Sequence, residues 1–381
     1  MDNVFGFVSE AEFLEQMNKA NTYLRYIAAG VGVGYKPTTP AEINGIVRSG
    51  RHKEMIPVGS QIISSRNGVS IVWDVIGHNQ DIPADPQYTN SLTIYMHEVF
   101  DFVQFCAPQA MYYAEEALAP GTYNVTPKNG WSGGMGNGKT YQFTLTKTVP
   151  KGGQIVWNGE WNQDPLKYKI NTYSSALSTT VIESVSPIEG SGGTTLAVLN
   201  NAQRMCYGSN RYLTSAIRQW ANSDKPAGSV WTPQDKYDRP PSWMSNKDGF
   251  LRGLDSDFLS IIGKTKKKTA RCRLAEEAGM DETSDRFFLL SRSEMYMGDE
   301  YSDNHEGDPY TYFVNYSDNP SANTGKDKNR IKYKNGSPQW FWQRTPYSGY
   351  AYDVRGVYTE GQLGSHGAGG AGGAVLACNV I

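Results

Sequence analysis

Residues 340–358 read WFWQRTPYSGYAYDVRGVY and hold seven aromatic side chains: Trp340, Phe341, Trp342, Tyr347, Tyr350, Tyr352 and Tyr358. A Gly- and Ala-rich run follows, and the chain then reaches the short apolar segment Ala374-Val375-Leu376. Tyr and Trp give large contact area for little ordering entropy, which makes them common anchors of binding surfaces. Trp340, Phe341 and Trp342 fit an aromatic β core as well as they fit a surface. Tyr347, Tyr350 and Tyr352 stand among Pro, Ser, Gly and Asp, a turn-rich setting that favours display. The stretch reads as a recognition surface rather than a catalytic pocket.

Arg344 lies between Trp342 and Pro346, where a fully exposed guanidinium would gain little from such rigid neighbours. Its planar fork can take a carboxylate bidentately or bridge carbonyls while stacking on a ring. Arg344 is therefore expected to be covered and structural, pinning the start of the recognition loop. Trp340, Trp342 and Pro346 share that structural role.

Moving outward, the 381 residues suffice for two or three domains or for one elaborated β-rich domain. Charged residues are 19%, below the usual quarter, while Gly (40) and Tyr (24) are in excess, which suits strands and long ordered loops. A formal charge of −2 gives no global attraction for nucleic acid or anionic membrane. Cys106, Cys206, Cys272 and Cys378 lie far apart without a CxxC, so neither a zinc knuckle nor a redox pair is signalled, and reduced thiols are expected. The start Met1-Asp2-Asn3-Val4-Phe5 lacks the basic and apolar regions of a signal peptide. No window approaches the roughly 20 apolar residues of a membrane span.

Ser9 and Glu12 have capping-box spacing, and Phe13, Met17, Ala20, Leu24 and Ile27 form an apolar stripe, which predicts a helix over 9–28. A short helix is expected over Pro40–Val47. Ile62-Ile63, a turn at Arg66-Asn67-Gly68 and Val69–Ile76 predict a β-hairpin. In 91–106, Leu92, Tyr95, Met96, Val99, Phe102, Val103 and Cys106 fall at helical spacing, with His97 opposite them. Tyr141, Phe143 and Leu145 alternate with polar residues as in a strand with one covered face. Residues 120–190 read as an inserted β-rich excursion. Helical signals return at 210–221, with Asn210 as a plausible cap, and at 250–262. Phe287–Leu290 is a buried strand candidate, and 298–338 a polar loop region.

No motif for chemistry stands out. His52, His78, His97, His305 and His366 lack HExxH or HxH spacing. No nucleophile elbow, Walker loop or dinucleotide fingerprint appears, so no catalytic residue, metal or cofactor is assigned. Gly367–Gly373 reads as a loop and strand lead-in. The acidic group Asp299, Glu300, Asp303, Glu306 and Asp308 matches no EF-hand and reads as solvated. Lys264, Lys266, Lys267, Lys268, Arg271 and Arg273 form a basic run, but acidic residues follow it and no stacking aromatics interleave it. A solvated loop is the expectation there. His366 with Asp353 could make an acid–base pair, but no nucleophile elbow or oxyanion motif accompanies it.

Asn210–Trp220 (NRYLTSAIRQW), Phe250–Ile262, Asp285–Leu290 (DRFFLL) and Trp340–Pro346 (WFWQRTP), ending in Ala374–Leu376, together resemble the C-type-lectin-like domain of gut Firmicutes and phage proteins. In that family's ending, Trp-Trp-Leu-Arg-Ser-Pro, the matching positions here are Trp340, Trp342, Arg344, Thr345 and Pro346, with Gln343 for Leu and Thr345 for Ser. Trp73 and Val75 match its early Trp-x-Val strand. The chain is also similar to variable proteins diversified by mutagenic retroelements, whose C-terminal lectin-like segment carries the changing surface residues. The related formylglycine-generating enzymes need a C-terminal cysteine pair, and only Cys378 lies there. Calcium-dependent sugar sites use Gln-Pro-Asp or Glu-Pro-Asn, and neither occurs.

The resemblance implies an α+β, C-type-lectin-like fold with an inserted β-rich subdomain and an N-terminal helix. The expected divisions are 1–55 for attachment, 56–119 and 191–381 for the lectin-like body, and 120–190 for the insert. The expected ligand-binding residues are Tyr347, Ser348, Tyr350, Tyr352, Asp353, Arg355, Tyr358, Ser365 and His366. The expected function is non-enzymatic recognition of a protein or glycan on a bacterial surface. The protein would be a homo-oligomer or docked on a phage particle assembled in the bacterial cytoplasm, without nucleic acid. The alternative is a capsid or tail assembly protein.

Overall fold

Asn67 and Gly68 both adopt left-handed backbone, with φ of 51° and 79°. Such a pair makes the tight turn whose twist matches its flanking strands. It joins Gln61–Arg66 to Val69–His78 in register from Gln61↔Asp74 to Arg66↔Val69. In this computed structural model the described residues are 39–129, 140–157, 170–173, 182–187, 192–196, 200–316 and 326–381. The helix expected over 9–28 lies outside them.

The hairpin begins an antiparallel sheet. Its order is Gln61–Arg66, Val69–His78, Leu92–Met96, Ala377–Val380 and Ile262–Gly263, with Phe287–Phe288 also on Ala377–Val380. The strand nearest the C-terminus therefore lies mid-sheet. Leu92–Met96 and Ala377–Val380 are buried along their whole lengths. This corrects the helix read over 91–106, which is two strands, Leu92–Met96 and Asp101–Gln104. A strand covered on both faces loses the period-two pattern, so chance apolar spacing passed for a helical face.

The second sheet runs Leu363–Gly367, Asp353–Val357, Phe341–Pro346, Ala371–Ala374 and Asp101–Gln104. Only the Phe341–Pro346 and Ala371–Ala374 pair within it is parallel. One core fills the space around both sheets, with Trp73, Trp220, Phe250, Phe287 and Trp342 among its largest members. Pro40–Arg48 closes over that core. Thr39 and Glu42 form a reciprocal cap, and the helix buries Ile43, Ile46 and Val47.

A second core holds Met111, Tyr123, Val125, Tyr141, Phe143, Leu145, Val149 and Ile155 with Leu196 and Met205. Its strands Gly121–Val125 and Tyr141–Leu145 pair antiparallel. The excursion read from 120–190 is thus anchored by residues on both sides of that range.

Lys266, Lys267 and Lys268 of the basic run lie in the strand Thr265–Ala270, paired with Met280–Asp285 and Ile82–Pro83. Its alternation exposes Lys266 and Lys268 and turns Lys267 inward, to 4% exposure. The segment 210–221 splits into a 3-10 turn, Tyr212–Thr214, and the helix Ala216–Ala221, capped by Ser215. No helix among the described residues is long and apolar enough to cross a membrane.

Candidate binding surface

The loop 347–352 connects Phe341–Pro346 to Asp353–Val357, and other parts of the chain hold its backbone. Tyr347 N donates to Asp353 O at 2.9 Å. Ser348 N and Oγ donate to Glu300 Oε1 at 2.9 and 2.7 Å. Ala351 N donates to Gln203 Oε1 at 2.6 Å, and Ala351 O accepts from Arg204 Nε at 3.1 Å. Asn210 Nδ2 donates to Tyr350 O and Asp353 O, both at 3.0 Å. Gln203, Arg204 and Asn210 are all buried. Side chains therefore replace the ladder bonds that a loop cannot make for itself.

What projects from this frame is a row of rings. Tyr347 meets Tyr350 edge-on at 5.8 Å between centroids, and Tyr350 stacks on Tyr352 at 5.4 Å. Tyr207, at the end of the helix Ala202–Tyr207, continues the row 4.8 Å from Tyr352. Tyr350 is 40% exposed, while Tyr347 and Tyr352 are half-buried. Tyr207 was missed from sequence because nothing local marks a helix-end tyrosine for a distant loop. Arg355 lies over the Tyr347 ring at 4.2 Å and grips Glu300 with Nε and Nη2 at 2.6 and 2.9 Å. Ser348 and Arg355 are thus tied to the buried Glu300. Burial opposes ionisation of Glu300, but the Arg355 and Ser348 contacts outweigh it and lower its pKa.

Strand register separates four of the nine candidate residues, Asp353, Arg355, Ser365 and His366, into two groups. Asp353 pairs with Gly367 and Arg355 with Ser365, while Val354 pairs with His366. Cross-strand partners share a face, so Asp353, Arg355 and Ser365 lie opposite His366. Ser365 Oγ donates to Asp353 Oδ2 at 3.2 Å. Burial raises the Asp353 carboxyl to about 6 against the pull of Ser365 and Arg355. His366 instead stacks on Trp340 at 3.9 Å, with Tyr358 edge-on at 5.3 Å. The Asp353–His366 acid–base pair is therefore not formed, because adjacent register positions point apart.

The glycine-rich run makes the floor for these rings. A Cβ at Gly372 would come 2.3 Å from the Trp340 ring, and one at Gly364 would come 2.4 Å from the Tyr358 ring. Of the expected structural residues, Trp342 and Pro346 are buried and Trp340 is half-buried. Trp342 Nε1 donates to Val103 O at 2.9 Å.

Arg344 is fully buried behind the loop. Nη1 and Nη2 donate to the two Glu294 oxygens at 2.5 and 2.8 Å. The same nitrogens also donate to Leu289 O at 2.9 Å and Glu306 O at 2.8 Å. Lys267 joins the cluster through Asp81, through Glu294 at 2.8 Å and through the Tyr310 hydroxyl at 2.6 Å. Burial opposes ionisation of Glu294, but Arg344 and Lys267 prevail and bring its carboxyl to about 2. Glu306 accepts from Ala270 N at 2.9 Å and from Thr345 Oγ1, yet burial lifts it to about 7. Glu300 and Glu306 thus correct the reading of the acidic group as solvated, since each has internal donors. Among the described residues, no group of three or more His, Cys, Asp or Glu could hold a metal. Cys106, Cys206, Cys272 and Cys378 form no disulfide.

Residues 191–377 match a family described as a domain of unknown function, DUF6273. The match leaves out Leu92–Met96 and Asp101–Gln104, on which the strands Ala377–Val380 and Ala371–Ala374 pair. No curated protein and no solved structure matches the chain.

Proposed function

We propose that the chain is a non-enzymatic binding protein that meets its ligand through Tyr347, Tyr350 and Tyr352, extended by Tyr207. The observation that carries this reading is the held loop. Gln203, Arg204, Asn210 and Glu300 fix the main chain beneath the row of rings. Rings ordered before contact lose little entropy on binding. Ser348, Asp353, Arg355 and Ser365 border the row with polar groups, a mixture suited to adaptable recognition. Tyr358 and His366, with Trp340, form a separate patch on the other face of the sheet.

In this proposal the body is C-type-lectin-like and the ligand is a protein or glycan on a bacterial surface. The carrier is a phage or prophage particle, and the loop is open to retroelement diversification. The resemblance of Trp340–Pro346 supports the first point. The last is supported by a loop backbone held by side chains outside it, so that ring positions can change while their main chain keeps its partners. In the test, the double variant Tyr350→Ala, Tyr352→Ala is expected to weaken capture of a bacterial cell panel at least ~10-fold, the loss typical of central aromatic anchors. Thermal unfolding should change little. A large drop in melting temperature, or unchanged capture, would sink the assignment.

A second reading, a capsid or tail assembly subunit, draws on Ile63 and Val69, which stand 67% and 66% exposed on the first hairpin. Light scattering of the full chain decides between them. Assembly requires an oligomer that Ile63→Lys dissolves, and a monomer at all concentrations removes this reading.

A further inference from the structure

Two histidines close the junction between the helix His52–Met55 and the main sheet. His52 begins the one-turn helix His52–Met55 and is fully buried. Its Nε2 lies 2.9 Å from Asn79 Oδ1. That oxygen also accepts Ser91 N–H at 2.9 Å, which identifies it as the acceptor end of the amide. His52 Nε2 therefore carries the hydrogen, and Nδ1 is bare. Nδ1 is buried and meets no hydrogen-bond partner. His78 ends the strand Val69–His78, and its Nε2 lies 2.7 Å from Ile56 O, just past the same helix. A carbonyl only accepts, so this Nε2 also donates. The rings sit 5.4 Å apart, tilted by 56°.

The surroundings suit neutral imidazoles only. Asn79, Ser91 and the Ile56 carbonyl face the pair from neighbouring elements, and all are neutral. The charged side chain acting on both rings is Lys53, a cation. The helix is a single turn of four residues.

We propose that His52 and His78 form an acid-sensitive latch, locking Arg51–Ile56 to the sheet when neutral and releasing it when protonated. Protonating His52 would place an N–H at Nδ1, in a buried position with no acceptor. Protonating both would set like charges side by side. Opening the single turn lets both rings charge in water. The direction follows from linkage: burial holds both groups below 6.5 in the closed form, so the open form takes protons more readily. The latch is unaffected above pH 6.5 and weakens progressively as pH falls below it.

Hydrogen exchange on the full chain, corrected for intrinsic rates and compared at pH 7.5 and 5.0, tests this. Amides of residues 52–56 and 78–79 are expected to lose protection by ~10-fold or more at pH 5.0, one pKa unit of differential protonation. The loss should be small in the double variant His52→Gln, His78→Gln, whose amides can still donate to Asn79 and Ile56. Equal protection of the natural chain at both pH values would overturn the latch, as would an equal loss in the variant. If the variant does not fold, imidazole NMR titration of the natural chain decides. Closed-state values below 6.5 for both rings sustain the proposal, and a value at or above 6.5 for either refutes it.

Discussion

Arg344 carries five donors into a fully buried space, and most of its bonds depend on the planar fork. Two donors meet the Glu294 oxygens, and others reach Leu289 O, Glu306 O and, at 3.3–3.4 Å, Lys268 O. A lysine in its place offers three donors from one point, so it cannot span Glu294 and the carbonyls on either side. Arg344→Lys is therefore expected to cost about 3 kcal/mol, through acceptors left unsatisfied in the interior. Chemical denaturation measures this, and an unchanged midpoint would remove the structural role. The sequence pointed to a covered arginine from its rigid neighbours alone. It gave no hint of Glu294 or Glu306, because polar loop composition looks the same whether a carboxylate is solvated or turned inward to a partner.

At the scale of elements, the loop 347–352 depends on Asn210 more than on its own residues. Asn210 is fully buried, donates to Tyr350 O and Asp353 O, and accepts from Arg204 Nη2 at 3.1 Å. Asn210→Ala should cost about 2 kcal/mol, since it removes one donor from each of the Tyr350 and Asp353 carbonyls and the acceptor of the buried Arg204 Nη2. It should also raise hydrogen exchange at Ala351 and Asp353 without altering any tyrosine. Unchanged exchange there would mean that the loop is held by other contacts. Sequence periodicity placed Asn210 as a helix cap, and the helix instead begins beyond Ser215. Elements with one covered face and local turn chemistry, such as the Asn67-Gly68 hairpin, were legible, as was the short helix from Pro40. Those set by distant pairing, such as Leu92–Met96 against Ala377–Val380, were not. Lys267 was hidden for a related reason: a run of lysines shows no alternation even when the strand has two unlike faces.

Across the whole molecule, buried carboxyls with opposed shifts set the pH response. Glu294 titrates near 2 in the folded state, below its ordinary 4.5. Its stabilisation is present above pH 4.5 and is lost as pH falls through 2. Glu306 titrates near 7, above the same ordinary 4.5. The folded state holds that proton more tightly, so the stabilisation is complete below pH 4.5 and disappears as pH rises through 7. Asp353, raised from 3.8 to about 6, acts in the same sense over a lower window. Each of the two glutamates has shifted enough to be worth about 3 kcal/mol at the far side of its window. The Glu306→Gln variant keeps a donor for Thr345 and an acceptor for Ala270 N but cannot ionise. Relative to the natural chain, its stability should therefore rise as pH goes from 4.5 to 7, by about 2–3 kcal/mol. Urea denaturation of both proteins across that range supplies the comparison. The histidine latch acts identically in the two and cancels in the difference. A difference that stays flat with pH would show that Glu306 is ionised in the folded state at neutrality, with Arg344 holding a second carboxylate rather than one carboxylate and one acid.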